Sequence, residues 1–236
     1  MIRKNNLSFD LLEQFNGLCW LKNTDNVYIY ANQNSAKALG YSTAKELIGN
    51  TDYQIRSPIV CLAGEFVTED AHVIRQNKFS KSISFGPYYR DGNYKMWMRQ
   101  KNLVFDNKDQ LVGVQAIAID ITENKNLLNM ILLSNQGFMP HTQTYFCIQL
   151  TDYYPNIDLG RQETLTLFYL LRGKSSKEIG DILSLSARTI DAYIEKIKFK
   201  TNTKSRLELV AKCIHEGFIN IFPAVIGKKL LQKGRL

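Results

Sequence analysis

The stretch 176–200, SKEIGDILSLSARTIDAYIEKIKFK, constrains the fold of this chain most. Apolar residues fall at Ile179, Ile182 and Leu183, then at Ile190, Ile194 and Ile197, both runs at helical spacing. Only Ser-Leu-Ser separates them. Ser175 or Ser176 can cap the first helix and Ser186 the second, because a serine oxygen satisfies an orphan N–H of the first turn. An upstream stripe, Leu165, Phe168 and Leu171, stops at Gly173. A downstream one, Leu207, Val210, Ala211 and Ile214, stops at Gly217. Four apolar stripes on short connections describe a compact all-α, four-helix domain over 157–219.

The chain before it has a different rhythm. CWLKNTDNVYIYAN reads as a hairpin, two β-rich runs around a polar turn. NSAKALGYSTAKELIGNT gives two short helices that end at Gly40 and Gly49. EFVTEDAHVIRQNK is a longer amphipathic helix, with Phe66, Val67, Ala71 and Ile74 expected on its inner side. Three β runs follow, FSKSISF, YKMWMRQKNLVF and LVGVQAIAID, joined by turn-forming Asp-Gly and Asn/Asp sequences. Five strands interrupted by helices predict an α+β fold: one five-stranded antiparallel sheet with helices on one face, over 1–122.

YANQNSAKALGYSTAKELIGNTDYQI resembles the PAS-domain signature, with Asn32, Gly40, Tyr41, Ser42, Glu46, Leu47, Gly49 and Asp52 in its places. Asp120, Ile121 and Thr122 match the Asp-Ile-Thr that closes such domains. The resemblance implies a sensor module holding a small signal molecule between sheet and helices. Its expected ligand-facing residues are Tyr28, Tyr30, Cys61, His72 and Trp97, while the aromatics, Trp20 and Phe85 among them, also suit an ordinary core. The cofactor stays unknown. A flavin-adduct site needs Cys61 within an Asn-Cys-Arg-Phe-Leu-Gln-like helix, and the sequence there is SPIVCLAGEF. Gln115, the counterpart of a flavin-facing glutamine, has the strand parity that faces away from the pocket. Haem would use His72 as its axial ligand, in a polar Glu-Asp-Ala-His context. Neither group is favoured.

The segment 123–156 reads as a linker. Leu127, Leu128, Ile131 and Leu132 form one apolar stripe, which either pairs with a second copy or packs on its own chain. A helix over Leu7–Phe15 is a second candidate dimer contact. Residues 144–150, TYFCIQL, are β-like, and the tail 220–236 is broken from the last helix at Pro223.

Charge divides the chain. Residues 1–140 hold 15 Lys+Arg against 13 Asp+Glu, and residues 141–236 hold 15 against 9, or +2 and +6 of the total +8. A basic second part suits a polyanion partner. Its residues resemble the LuxR/FixJ-type helix-turn-helix, through Leu159, Glu163, Gly173, Lys177, Glu178, Ile179, Ser186, Thr189, Ile190, Lys200 and Arg206. Gly180, Gln162 and Thr201 depart from the usual Ala, Arg and Leu. The resemblance implies double-stranded DNA in contact with the helix 187–200. Arg188, Asp191, Ala192 and Glu195 would face bases, Thr189 would belong to the same DNA-binding segment, and Lys174, Lys177, Arg188, Lys196, Lys198, Lys200 and Lys204 would face phosphates. Acids on that face either accept from cytosine amino groups or merely pair with neighbouring lysines.

No apolar run approaches the roughly 20 residues of a membrane span, and no signal peptide is legible. Four dispersed cysteines without a Cys-x-x-Cys motif fit reduced thiols in the cytoplasm. No nucleotide loop, kinase histidine box or catalytic triad points to an enzyme. The leading expectation is a homodimeric, DNA-binding transcription regulator controlled by its sensor domain. An acyl-homoserine-lactone receptor and a protein–protein adaptor with a degenerate reader are the alternatives.

Overall fold

The computed structural model describes residues 11–134, 145–154 and 157–226. Residues 7–10 of the expected helix over 7–15, and the tail beyond 226, lie outside these residues. The chain divides into two compact units, residues 1–123 with 144–147, and residues 124–143 with 148–236.

In the first unit, β1 (Leu18–Asn23) and β2 (Tyr28–Ala31) form the expected hairpin. Helices α1 (Gln33–Ala38), α2 (Ala44–Leu47) and α3 (Ala63–Gln76) follow, then β3 (Ser80–Pro87), β4 (Tyr94–Phe105) and β5 (Leu111–Asp120). Asn32 caps α1 by accepting from the Ser35 N–H, and Thr43 caps α2 by accepting from the Glu46 N–H. The pairs β2–β1, β1–β5, β5–β4 and β4–β3 are all antiparallel. Gly113 on β5 has φ of +155°, and a Cβ there would stand 1.8 Å from the Lys22 carbonyl oxygen, so only glycine fits. The core joins Leu18, Trp20 and Tyr28 of the hairpin to Leu47, Ile59, Phe66, Trp97 and Ala116.

The inner side of α3 differs from the expected one. Phe66, Glu69, Asp70 and Val73 are buried, whereas Ala71 is exposed and Val67 and Ile74 only half-buried. The spacing is still helical, but the face is rotated so that two carboxylates point inward. Cations on the sheet opposite them are the reason.

The α+β class holds, with strand order β2-β1-β5-β4-β3 in the first unit, but the described residues hold two strands more than expected. The extra strands are β6 (Phe146–Leu150), within which the chain passes from one unit to the other, and β7 (Ile221–Phe222). Gln149 and Leu150 pair in parallel with Ile221 and Phe222. A two-residue strand whose partner lies some 70 positions earlier carries no local signal.

The second unit contains α4 (Lys125–Ser134), α5 (Arg161–Leu170), α6 (Ser176–Leu183), α7 (Ala187–Thr201) and α8 (Arg206–His215). Leu127 and Ile131 of α4 are fully buried and Leu128 is half-buried. Leu167, Leu171, Ile179, Ile190, Ile194, Ile197, Leu209 and Cys213 make the core of the helical domain. The stripe expected on α8 is not the buried one. Leu207 is 79% exposed and Ile214 39%, while Leu209 and Cys213 are fully buried. Helix α8 carries two apolar faces, and periodicity alone could not rank them. Ile182 on α6 is likewise exposed.

Candidate nucleic-acid interface and sensor cavity

The hydroxyl of Ser175 caps α6 by accepting from the Glu178 N–H, and the Glu178 carboxylate returns to the Ser175 N–H at 2.8 Å. Ser184 closes α6 in the left-handed conformation. Ser186 then caps α7, accepting from the Thr189 N–H at 3.1 Å. Two caps two residues apart, Ser184 and Ser186, hold α6 and α7 in a fixed crossing, and this rigid pair presents the outer face of α7.

Ile190, Ile194, Ile197 and Thr201 point into the core. Arg188, Asp191, Ala192, Glu195 and Lys196 are exposed, with Phe199 88% exposed beyond them. Thr189 is half-buried and its hydroxyl is hydrogen-bonded to that of Ser186 at 2.8 Å. The structure therefore brings the expected outward residues Arg188, Asp191, Ala192 and Glu195 together on one side, while the Thr189 hydroxyl serves the cap.

The expected phosphate contacts fall into two groups. Arg188, Lys177, Lys196 and Lys204 are exposed and form no ion pair among the described residues, although Lys196 lies 5.7 Å over the Tyr193 ring. Lys174 pairs with Glu178 at 3.0 Å, Lys198 with Glu195 at 2.9 Å, and Lys200 with Glu163 at 2.6 Å. Lys200 also donates to the Asp158 carbonyl, so its ammonium is tied to the start of α5. Burial alone would raise the Glu163 carboxyl, but Lys200 and the Gly160 N–H outweigh it and hold it below the usual range. Asp191 pairs with no lysine among the described residues; it accepts a hydrogen bond from Ser176 at 2.5 Å. Arg206, in turn, donates to Ser176 Oγ and to the Lys174 carbonyl. Sequence reasoning had no place for Ser176 and Arg206 here, because their partners are 15 and 30 residues apart.

The first unit encloses a cavity of about 10 Å³, room for about one water, lined by Leu18, Trp20, Lys22, Tyr28, Ser35, Leu39, Asp52, Phe66, Tyr88, Arg99 and Lys101. Its polar wall belongs to a closed ion cluster of three cations and three anions. Lys22 pairs with Asp52 and, at 2.8 Å, with Asp70. Lys101 reaches Asp70 at 2.5 Å and Glu69 at 3.1 Å. Arg99 reaches Glu69 at 3.1 Å and the Cys147 sulfur at 2.9 Å. No side chain of the six is more than 5% exposed. Burial works against the charges, but the cations outweigh it, so Glu69 and Asp70 are held below the usual carboxylate range. Burial pushes the Cys147 thiol up to about 11 despite Arg99 beside it. Burial also raises Tyr28, whose hydroxyl donates to Asp52 at 2.7 Å.

Of the expected ligand-facing residues, Tyr28 alone lines this cavity. The Tyr30 hydroxyl bonds to Glu13, Cys61 is exposed, and Trp97 is buried in the core with its ring edge-on to Tyr88. His72 is half-buried on α3, with burial lowering its proton affinity. Neither His72 nor Cys61 is placed to hold a haem iron or a flavin in the cavity, and Gln115 bonds to Cys19 away from it. The residues missed were Lys22, Arg99 and Lys101, together with Glu69 and Asp70 behind them. A signal existed for the cations: Lys22 has the parity of Leu18 and Trp20, and Arg99 and Lys101 have that of Trp97.

No described helix is long and apolar enough to cross a membrane. Residues 158–213 match the family model for bacterial regulatory proteins of the luxR family, and residues 12–126 match the model for the PAS fold. The chain is similar to the transcriptional activator protein LuxR of Aliivibrio fischeri, 33% identical over 76 residues, covering 32% of this chain and 30% of that protein. It is 31% identical over 72 residues to the transcriptional activator protein AhyR of Aeromonas hydrophila, covering 30% and 28%. The chain thus spans about three tenths of the length of these curated relatives. Among solved structures it is similar to the Vibrio cholerae VqmA dimer without target DNA, at a TM-score of 0.48 and 25% identity over 93% of this chain and 91% of that one. The VqmA–ligand–DNA complex gives 0.48 and 24%, over 94% and 92%. From its two family matches, each over the unit whose elements are described above, the chain joins a PAS-fold domain to a domain of the luxR family of bacterial regulatory proteins.

Proposed function

We propose that this chain is a DNA-binding transcription regulator in which the PAS-fold domain senses a signal and controls sequence-specific binding by the helix-turn-helix. The observation that carries the reading is the outer face of α7: Arg188, Ala192 and Glu195 stand exposed on a doubly capped helix, with Lys177, Lys196 and Lys204 nearby in the basic unit. Lysines and Arg188 supply affinity through phosphates, and the α7 face supplies selectivity. The protein acts in the cytoplasm as a homodimer, for which exposed Leu207 and Ile214 on α8 offer an apolar contact.

The signal acts at the cavity of the first unit. The space holds about one water, so a ligand must displace side chains to enter. The surrounding cations and anions balance, so an uncharged polar molecule leaves the fewest buried charges unmatched.

The test is duplex binding by the full chain across a salt series. Binding whose logarithm falls linearly with log salt, and which prefers some sequences, is the expected result. Failure to bind any duplex at low salt, with or without cell extract, would sink the reading and favour a protein–protein adaptor.

A further inference from the structure

We propose that Asp191 is a positioning residue: through the Ser176 hydroxyl it holds the Arg206 guanidinium at the N-terminal end of α6, where Arg206 takes a backbone phosphate, and it reads no base. The inference rests on the DNA-binding reading above.

The geometry of one hydroxyl carries the argument. Ser176 has a single O–H hydrogen, and it goes to Asp191 Oδ1 at 2.5 Å. With that hydrogen committed, the hydroxyl can offer only a lone pair to Arg206 Nη1, which donates to it at 3.1 Å. Arg206 Nη2 donates to the Lys174 carbonyl at 2.8 Å. Three helices thus meet at one contact: Asp191 from α7, Ser176 at the start of α6 and Arg206 at the start of α8.

Two of the five N–H groups of Arg206 are used in these bonds, and the side chain is exposed, so the rest are available to an anion. The positive end of the α6 dipole lies beside them. A guanidinium held at two points is pre-aimed; one held at the Lys174 carbonyl alone is not. Base reading would ask the same carboxylate to accept from a cytosine amino group, yet one of its oxygens is already engaged. The acid is therefore explained without a base, as the acceptor that orients Ser176.

Asparagine and alanine at 191 separate the two roles. Both remove the negative charge, but only asparagine keeps an oxygen for Ser176. The measurements are selection from a random-sequence duplex pool by the full-length protein, then salt titration on the top selected duplex and on one fixed unselected duplex. Thermal midpoints of all variants verify folding.

The expected result is that wild type, Asp191→Asn and Asp191→Ala select the same sites in the same rank order. Asp191→Ala binds both duplexes several-fold more weakly than Asp191→Asn, with a log–log salt slope shallower by about one. Ser176→Ala behaves like Asp191→Ala, and the gap between the two 191 variants disappears when Arg206→Ala is added. A purely structural role would shift the midpoint and leave the slope alone. A changed base preference at one site position in Asp191→Asn would overturn the proposal in favour of base reading, and so would equal slopes and affinities for the two 191 variants. Absence of wild-type binding to any duplex at low salt would instead overturn the DNA-binding reading itself, a result visible before any variant is compared.

Discussion

Lys200 donates to the Glu163 carboxylate at 2.6 Å, joining the end of α7 to the first turn of α5 across 37 residues. The same ammonium donates to the Asp158 carbonyl at 2.8 Å. A lysine so committed acts on the fold before it acts on DNA. Lys200→Ala is expected to lower unfolding stability by about 1 kcal/mol, since Lys200 is partly exposed and the pair is partly screened. The Glu163 carboxyl is held below its unfolded value, so this stabilisation is present above about pH 4.3 and fades as pH falls below it. Urea titrations of wild type and variant at neutral and acid pH check this: the difference should shrink in acid. A salt slope of DNA binding that flattens by about one, with stability unchanged, would instead return Lys200 to a phosphate.

Lys101 serves two buried carboxylates, Glu69 and Asp70. Lys101→Met leaves three buried anions to two cations, Lys22 and Arg99, and should cost on the order of 3–5 kcal/mol. Adding Asp70→Asn to that variant should recover part of the loss, because one unmatched charge is removed. Since Glu69 and Asp70 titrate below their unfolded values, the cluster stabilises wild type above about pH 4 and gives way as pH falls further. Lys101 is shifted upward, so its own contribution lasts until pH rises past about 10.4. Thermal unfolding across pH measures both limits; a Lys101→Met midpoint equal to wild type would contradict the buried cluster.

Gly180 stands where LuxR-type readers usually carry alanine. A Cβ there would meet the Leu185 carbonyl oxygen at 2.5 Å, and the Leu185 N–H already bonds back to the Gly180 carbonyl. Gly180→Ala should therefore destabilise by about 1–3 kcal/mol, even though alanine is the better helix former. A rise in the thermal midpoint would show that the turn between α6 and α7 opens without cost.

Residues 144–147 belong with the first unit, where Phe146 packs on Phe85 at 5.6 Å between ring centroids and Cys147 meets Arg99. A fragment ending at 147 should unfold cooperatively, and at a higher temperature than one ending at 134, by calorimetry. Equal midpoints would place the domain boundary before β6.

Periodicity and punctuation were enough to locate the strands of the sensor sheet and the helices of the reader. Local forces set those features: serine caps, left-handed turns, and apolar residues at spacing 2 or 3.6. The outward placement of Arg188, Asp191, Ala192 and Glu195 was legible for the same reason, since three isoleucines on α7 leave only one side for the core. Partners distant in sequence were not legible. Glu69 and Asp70 read as the solvent side of α3, and became its buried side because Lys22, Arg99 and Lys101 face them from two strands. Leu207 and Leu209 are equally apolar; only the packing of α8 against its neighbours decided which is buried. The strand β7 exists because Ile221 and Phe222 find β6, and Asp191 meets the Ser176 hydroxyl because that residue stands across the α6–α7 crossing. A helix or turn depends on residues a few positions apart, so the sequence alone determines it. Charge pairing and the choice between two apolar faces depend on which distant side chains the folded chain brings within a few ångströms, and that only the tertiary structure decides.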